Sequence, residues 1–269
     1  MIIKVFDGNK TSEVELNENI IPVNYKTNIG NDHLFKVENL KIQYYKVNIV
    51  RPACEGRFPV MYLLPGLGGN PDEWLWSHYN LRSIVSNLLA DGKIKECVYV
   101  LPQVVRSSNE NDDEKRSDFH NFANVLKELI MPEIEKKPYV LAGKENTGIG
   151  GLSYGGKAAL YIAYKMQQSF SVVAAFEPSP GLLDVKNDKG EKTVDGLIHN
   201  INDFSFHDFK YVFIGAGDDD KTVGKFPESY FERLRRNSQP NTFCILEGGH
   251  NSIPITKQFY IFAQNGKII

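Results

Sequence analysis

The segment Gly151-Leu152-Ser153-Tyr154-Gly155-Gly156 constrains the fold more than any other part of the chain. A serine with glycines two residues before and after it is typical of a strained turn that joins a strand to a helix. Side chains at those two positions would collide with the turn, so glycine is required at both. Residues 146–151 can form a short buried strand, and residues 157–166 show helical periodicity. The sequence therefore predicts that Ser153 lies on a sharp strand-to-helix turn.

Strands and helices alternate along most of the remaining chain. Apolar runs predict strands at residues 34–40, 42–50, 60–64, 97–101, 171–176, 211–214 and 242–246, and helical spacing predicts helices at about residues 81–89, 119–134, 227–236 and 255–263. The first two strands are expected to be antiparallel. The alternation after them predicts an α/β fold, a mostly parallel central sheet with helices on both faces. We expect the 269 residues to form one domain.

A polar run at residues 107–118 (SSNENDDEKRSD) contains no apolar side chain. This composition predicts a solvated loop, with Ser117 or Asp118 as the N-cap of the helix that follows. Within that helix, Pro132 is expected to produce a kink near the end.

Charge composition argues against several classes of partner. The 31 basic side chains nearly balance the 33 acidic ones, for a formal charge of −2, and no basic stripe is present. We therefore expect no nucleic acid or membrane partner. The N-terminal residues lack a charged region followed by a long apolar run, which predicts a cytoplasmic protein, although a mature secreted chain would look the same.

The three cysteines, Cys54, Cys97 and Cys244, are scattered along the chain. Their number and spacing fit neither a disulfide framework nor a zinc site, so we expect no metal. Each cysteine is predicted to be a small buried apolar residue.

Two later segments could activate the Ser153 hydroxyl, which needs an imidazole to accept its proton and a carboxylate to orient the imidazole. The predicted strand 211–214 runs into Gly215-Ala216-Gly217-Asp218-Asp219-Asp220, and the predicted strand 242–246 runs into Glu247-Gly248-Gly249-His250. Serine, acid and histidine thus follow one another in the chain order of α/β-hydrolases. Of six histidines, His250 alone follows a strand-end acid. The pattern leaves Asp218, Asp219 and Asp220 open as the acid.

Negative charge that develops on a substrate oxygen needs N–H donors fixed in advance. The residue after the nucleophile, Tyr154, supplies one such backbone N–H in this architecture. A loop after an early strand supplies the other, and the glycine-rich segment 65–69 (PGLGG) predicts Leu67 as that donor.

Four segments together resemble the esterase D-type hydrolases of carbohydrate esterase family 1, and most of all bacterial feruloyl esterase domains attached to xylanases. The likeness runs over residues 40–263 and rests on residues 60–74 (VMYLLPGLGGNPDEW), 89–95 (LADGKIK), 151–156 (GLSYGG) and 247–250 (EGGH). It implies an α/β-hydrolase sheet of the nine-stranded type without a large cap domain, a Ser-Asp-His triad, and no metal or organic cofactor. The family's Gly-x-x-Asp segment, laid on residues 217–220, selects Asp220 as the acid.

The resemblance also implies an activity, a serine carboxylesterase that cleaves small acyl or hydroxycinnamoyl esters of carbohydrates through an acyl-enzyme. Trp74, together with Trp76, is a candidate stacking surface for the substrate. Ile253 is a candidate binding residue, because the family often has an aromatic side chain just after the base. The first 35 residues lie outside the resemblance and are expected to form extra edge strands.

Three alternatives stay open at this point. The absence of a signal-peptide pattern favours an intracellular thioesterase or detoxifying hydrolase of the S-formylglutathione type. An acyltransferase would use the same triad. A catalytically silent carbohydrate-binding protein of hydrolase shape is the alternative outside enzymes.

Overall fold

The computed structural model describes residues 1–107, 109–187 and 189–265. Their strands are β1 (Ile2–Phe6), β2 (Thr11–Glu15), β3 (Phe35–Ile42), β4 (Tyr45–Pro52), β5 (Val60–Leu64), β6 (Val98–Pro102), β7 (Thr147–Leu152), β8 (Val172–Phe176), β9 (Val185–Lys186), β10 (Lys192–Val194), β11 (Tyr211–Gly217) and β12 (Asn241–Leu246). Their α-helices are α1 (Leu81–Ala90), α2 (Asp112–Val125), α3 (Met131–Glu135), α4 (Tyr154–Lys165), α5 (Phe226–Arg236) and α6 (Ser252–Gln264). Short 3₁₀ helices cover Glu18–Ile20, Asp32–Leu34, Glu73–Leu75, Lys144–Asn146 and Ile201–Asp203.

One large sheet has the strand order β2-β1-β12-β11-β8-β7-β5-β6-β4-β3. The six strands from β12 to β6 run parallel to one another, while β4 pairs antiparallel with both β6 and β3. The predicted mostly parallel sheet with antiparallel strands near the N-terminus is therefore confirmed. The separate pair β9 and β10 forms a small hairpin between β8 and β11.

The sheet has ten strands in the described chain, one more than the nine-stranded type that the resemblance implies. Two of these ten strands come from the first residues of the chain. They form a hairpin in which β1 pairs antiparallel with β2 on one side and with β12 on the other. In that pairing Ile3 lies opposite Cys244, so the hairpin continues the sheet beyond the last parallel strand.

Helices cover both faces of the sheet, as predicted. Apolar side chains of α2, α4 and α5 pack on one face, and those of α1 and α6 pack on the other. The carboxyl ends of the parallel strands therefore open at one edge between two helical layers, where α/β proteins bind ligands. Within the described residues, no helix is both long enough and apolar enough to cross a lipid bilayer.

The predicted loop at residues 107–118 is wrong over its second half; Ser108 lies outside the described residues. Helix α2 begins at Asp112, and its N-cap is Asn111 rather than Ser117 or Asp118. The Asn111 side chain accepts from the N–H of Asp113 and Glu114, while the Glu114 carboxylate accepts from the Asn111 N–H. This capping box satisfies helix donors without any apolar residue.

Around Pro132 the backbone stays helical, but its hydrogen-bond pattern changes. A π-helical turn at Leu126–Ile130 separates α2 from α3, and Pro132 lies in the first turn of α3. Proline has no backbone N–H to donate, so the usual helical hydrogen-bond pattern is interrupted beside it.

Cys97 and Cys244 are buried, as predicted, whereas Cys54 is exposed. The prediction for Cys54 is wrong because this residue lies just beyond the end of β4, in a bend outside the core.

Candidate active site

Ser153 lies on a strained turn between β7 and α4. Its φ of +53° and ψ of −117° fall outside the usual regions for residues with a side chain. A Cβ at Gly151 would lie 2.5 Å from the backbone of Gly155, and a Cβ at Gly155 would lie 2.1 Å from the carbonyl oxygen of Pro65. Both glycines are therefore required for steric reasons, as the sequence predicts.

Three of the predicted side chains form one hydrogen-bonded series. The His250 Nε2 lies 2.8 Å from the Ser153 Oγ, and the His250 Nδ1 lies 2.7 Å from the Asp220 Oδ2. Of the histidines in the described chain, His250 is the one that contacts Ser153. The neighbouring Ser179 places its Oγ 3.4 Å from the Ser153 Oγ, and its N–H donates to the Ser153 carbonyl.

The structure separates the three consecutive aspartates. Asp220 is buried, and its second oxygen accepts from the N–H groups of Thr222 and Val223, which fixes the carboxylate in the turn. Asp218 accepts from the Gly248 N–H, and Asp219 is exposed beside Lys221. Only Asp220 of the three contacts His250 in the described structure.

Glu177 is a fourth group at this site, and the sequence analysis missed it. It follows β8 directly, has no exposed surface, and takes a φ of +49°. Its Oε2 lies 3.2 Å from the His250 Nδ1, so two carboxylates face the same nitrogen. A charged residue between a fully apolar strand and Pro178 was the available sequence signal.

The ionisation of His250 and Glu177 reflects this crowding. Burial opposes a charge on the His250 ring, but the nearby carboxylates of Glu177 and Asp220 outweigh it and raise the pKa of His250. Burial raises the pKa of Glu177 to about 7, against the opposing effect of His250.

The glycine-rich loop after β5 is held in place by a carboxylate. The Gly66 N–H donates to the Glu73 Oε2 at 2.7 Å, and the Gly69 N–H donates to the Gly66 carbonyl. Within the described chain the backbone N–H groups of Leu67 and Tyr154 have no protein acceptor. The N–H of Tyr154 has none because Tyr154 is the first residue of α4, where helical amides are unpaired.

The Tyr154 side chain packs against α2 and against its own helix. Its ring makes an edge contact with Phe119, and its hydroxyl lies 3.2 Å from the His120 Nε2. The Lys157 ammonium sits 3.5 Å from the centre of the same ring. Burial, together with the nearby Arg116 charge, lowers the pKa of Lys157 to about 7.

The predicted substrate-binding residues, Trp74 and Ile253, lie in different environments: the first is buried and the second is exposed. Trp74 is only 1% exposed, and its ring packs among Tyr79, Phe176 and Phe259 while its indole N–H donates to the Leu64 carbonyl. Trp74 offers no open ring face, so its predicted stacking role is wrong; it is a core residue that anchors the end of β5.

Ile253 and Trp76 stay accessible. Ile253 is exposed in the first turn of α6, three residues after His250, and Trp76 is partly exposed against His78. Their roles in binding remain predictions.

A second cluster of titratable groups lies away from Ser153. Asp184, Asp195 and His199 bring ligand atoms within 4.8 Å of one another, an arrangement that could hold a cation. Lys192 already pairs with both carboxylates, at 3.0 and 2.9 Å. Its ammonium already balances the negative charge of the two carboxylates, which would otherwise attract a metal ion.

Comparison with known proteins identifies the family. A family model described as a putative esterase matches residues 42–247. The chain belongs to this family.

Individual relatives of this chain are esterases as well. The chain is 28% identical over 186 residues to an endo-1,4-beta-xylanase/feruloyl esterase of Xylanibacter ruminicola, an alignment that covers 69% of this chain and 23% of that protein. It thus spans about a quarter of that curated relative. A CE1 ferulic acid esterase from Anaeromyces mucronatus, solved with ferulic acid, is 29% identical with a TM-score of 0.82, over 95% of this chain and 98% of that one. These likenesses confirm the resemblance to feruloyl esterases of carbohydrate esterase family 1.

A more distant structure supports the fold alone. The feruloyl esterase module from Clostridium thermocellum is 15% identical with a TM-score of 0.65, covering 87% of each chain. The predicted α/β-hydrolase fold is confirmed by these neighbours together with the strand order described above.

Proposed function

We propose that the protein is a serine carboxylesterase in which Ser153 is the nucleophile, His250 the general base and Asp220 the residue that orients the base. The observation that carries the proposal is the unbroken hydrogen-bond series from Asp220 through His250 to Ser153, with distances of 2.7 and 2.8 Å. A serine hydroxyl is a weak nucleophile until a neighbouring imidazole accepts its proton.

The reaction then follows two symmetrical steps. The Ser153 Oγ attacks the ester carbonyl carbon as the His250 Nε2 takes its proton, and the same imidazole returns that proton to the departing alcohol oxygen. Water next attacks the carbonyl carbon of the acyl-Ser153 ester and loses its proton to His250, which returns that proton to the Ser153 Oγ as the carbon–Oγ bond breaks and the carboxylic acid leaves. Asp220 holds the ring with Nδ1 protonated and stabilises the imidazolium that forms in each step.

The backbone N–H groups of Leu67 and Tyr154 are proposed as the donors that stabilise the substrate oxyanion. Both lack a protein acceptor in the described chain, whereas Gly66 and Gly69 in the same loop are already bonded. Loss of one such donor typically raises the barrier by about 3–4 kcal/mol. Glu73 supports this arrangement because its carboxylate accepts from the N–H of Gly66, the residue before Leu67.

For the substrate we propose a hydroxycinnamoyl ester of a carbohydrate, of the feruloyl type. The proposal draws on the xylanase/feruloyl esterase and the ferulic acid esterase to which the chain is similar. The carbohydrate is proposed as the leaving alcohol, since the relative's xylanase portion acts beside its esterase portion in one polypeptide.

A substrate panel tests this function. Initial rates are measured on methyl ferulate, a feruloylated oligosaccharide, p-nitrophenyl acetate and S-formylglutathione, with Ser153→Ala as the blank. We expect the feruloyl esters to give the highest kcat/KM, and Ser153→Ala to lose turnover by a factor on the order of 10⁵ or more. A preference for the glutathione thioester would replace the proposed substrate class, and unchanged turnover in Ser153→Ala would refute the mechanism.

A further inference from the structure

The environment of Glu177 is unusual for a buried acid. The side chain has no exposed surface, and its backbone φ of +49° is costly for a residue with a Cβ. The backbone is nevertheless held there, because the Glu177 N–H donates to the Gly215 carbonyl. Strain that the surrounding structure maintains is characteristic of functional positions.

The neighbouring strand is built to admit this side chain. A Cβ at Gly217 would lie 2.4 Å from the Gly248 carbonyl oxygen and 3.3 Å from the Glu177 Oε1, and a Cβ at Gly215 would lie 2.2 Å from the amide oxygen of Gln258. Gln258, also fully buried on α6, donates its amide to the Glu177 Oε1 at 3.1 Å. The two glycines of β11 thus leave room for a Glu177–Gln258 pair behind the histidine.

The second oxygen of Glu177 is aimed at His250. Within the described chain this buried Oε2 makes no well-formed hydrogen bond, and the His250 Nδ1 lies 3.2 Å away. The Nδ1 proton is directed to Asp220, which is closer at 2.7 Å. A buried oxygen without a hydrogen-bond partner is costly and calls for a functional explanation.

We propose that Glu177 is a second acid of the histidine. It positions the His250 ring together with Asp220, and its carboxylate accepts the hydrogen bond from the Nδ1–H when Asp220 is removed. This inference rests on the proposed role of His250 as the base. Glu177 touches neither Ser153 nor the substrate in this scheme, and it acts as a positioning residue through His250.

The charged and titratable groups around Glu177 come from four elements. Asp220 lies on the loop after β11 and His250 on the loop after β12, while Gln258 on α6 is neutral. Glu73 and Glu177 both act on Tyr79, whose pKa is raised by burial and by the two carboxylates. His250 is therefore the single cationic group among these neighbours, and a carboxylate at Glu177 favours its protonated form.

A double-mutant cycle tests the proposal. We would measure kcat/KM for p-nitrophenyl acetate in wild type, Asp220→Asn, Glu177→Gln and the double variant. Loss of a sole triad acid costs about 10⁴-fold. With Glu177 available, we expect Asp220→Asn to lose about 10²-fold and the double variant to lose a further 10²-fold. If Asp220→Asn alone loses about 10⁴-fold and the double variant is no slower, the proposal is overturned.

A pH profile separates positioning from simple structural support. Removing the Glu177 carboxylate lowers the pKa of the imidazole, so the acid limb of kcat/KM should move to lower pH in Glu177→Gln. Asp218→Asn is the matched control, since Asp218 lies in the adjacent loop without contacting His250. An acid limb that stays in place in Glu177→Gln, with only a lower plateau or a lower melting temperature, would contradict the proposal.

A third readout does not depend on turnover. The His250 imidazole is titrated by NMR in wild type and in Glu177→Gln, and we expect a lower pKa in the variant. If wild type hydrolyses none of the esters, the proposed function fails while this titration still decides the role of Glu177. An identical His250 titration in both proteins would refute that role. Asp220→Ala repeats the cycle in case the asparagine amide distorts the site.

Discussion

A single methyl group added at Gly155 should disable the active site without touching any proposed catalytic group. The Cβ of Gly155→Ala would lie 2.1 Å from the Pro65 carbonyl oxygen and 2.8 Å from the Leu64 carbonyl oxygen. Carbon–oxygen contacts of this kind are normally at least about 3.3 Å. Either the start of α4 or the Leu67 loop must therefore move by about 1 Å, which separates the two proposed oxyanion donors.

The expected cost has two parts. Overpacking of this size destabilises a protein by about 1–3 kcal/mol, and for a chain of this length each kcal/mol lowers the melting temperature by roughly 2–4 °C. A 1 Å displacement of a catalytic group costs about 10²-fold in rate. We therefore expect Gly155→Ala to lose about 10²-fold in kcat/KM on p-nitrophenyl acetate while the protein stays folded at 25 °C.

Gly68→Ala is the matched control for this experiment. It adds the same methyl group in the glycine-rich loop that the Gly155 Cβ would strike, but its own Cβ would meet no atom within 4 Å. We expect its kcat/KM to stay within about threefold of wild type. A Gly155→Ala variant with wild-type kcat/KM and melting temperature would refute the steric reasoning, and so would an equal loss in both variants.

Three further substitutions test individual contacts. Trp74→Phe leaves the Leu64 carbonyl without its donor, so urea unfolding should show a loss of about 1–2 kcal/mol with KM for methyl ferulate unchanged; a raised KM at unchanged stability would restore Trp74 as a binding residue. Asp219→Asn should keep kcat within about threefold of wild type in ester assays, because this side chain is exposed, and a large loss would make it the acid. Lys157→Met should raise the melting temperature most below pH 7 and progressively less towards pH 10.5. The folded-state pKa of Lys157 is lowered to about 7, so the penalty of a buried charge is complete below that pH and fades above it. A gain that does not depend on pH would contradict this account.

The parts of the fold that the sequence predicts are those with local causes. The turn at Ser153 follows from glycine spacing, and the alternation of strands and helices follows from apolar runs and helical periodicity. The capping box of Asn111 and Glu114 is also a local signal, whereas the predicted loop rests on the lack of apolar residues alone. Helix α2 therefore starts well before its first buried side chain.

Other features depend on contacts between distant parts of the chain. Asp218, Asp219 and Asp220 look alike in sequence, and only the family resemblance singled out Asp220. Its distinguishing feature is tertiary, a carboxylate fixed by two amides and facing His250. The contact between Glu177 and His250 is tertiary as well, since the two residues meet only when β8 and β12 are assembled in one sheet.

The central claim is that Ser153 is the activated nucleophile, and covalent labelling tests it most directly. Wild-type protein is treated with a fluorophosphonate, and the adduct is mapped by peptide mass spectrometry. We expect one adduct, on Ser153, that is absent in Ser153→Ala and strongly slowed in His250→Ala, while Ser179→Ala still reacts. An unlabelled wild-type protein, or an adduct on Ser179, whose hydroxyl is only 3.4 Å from that of Ser153, would contradict the account.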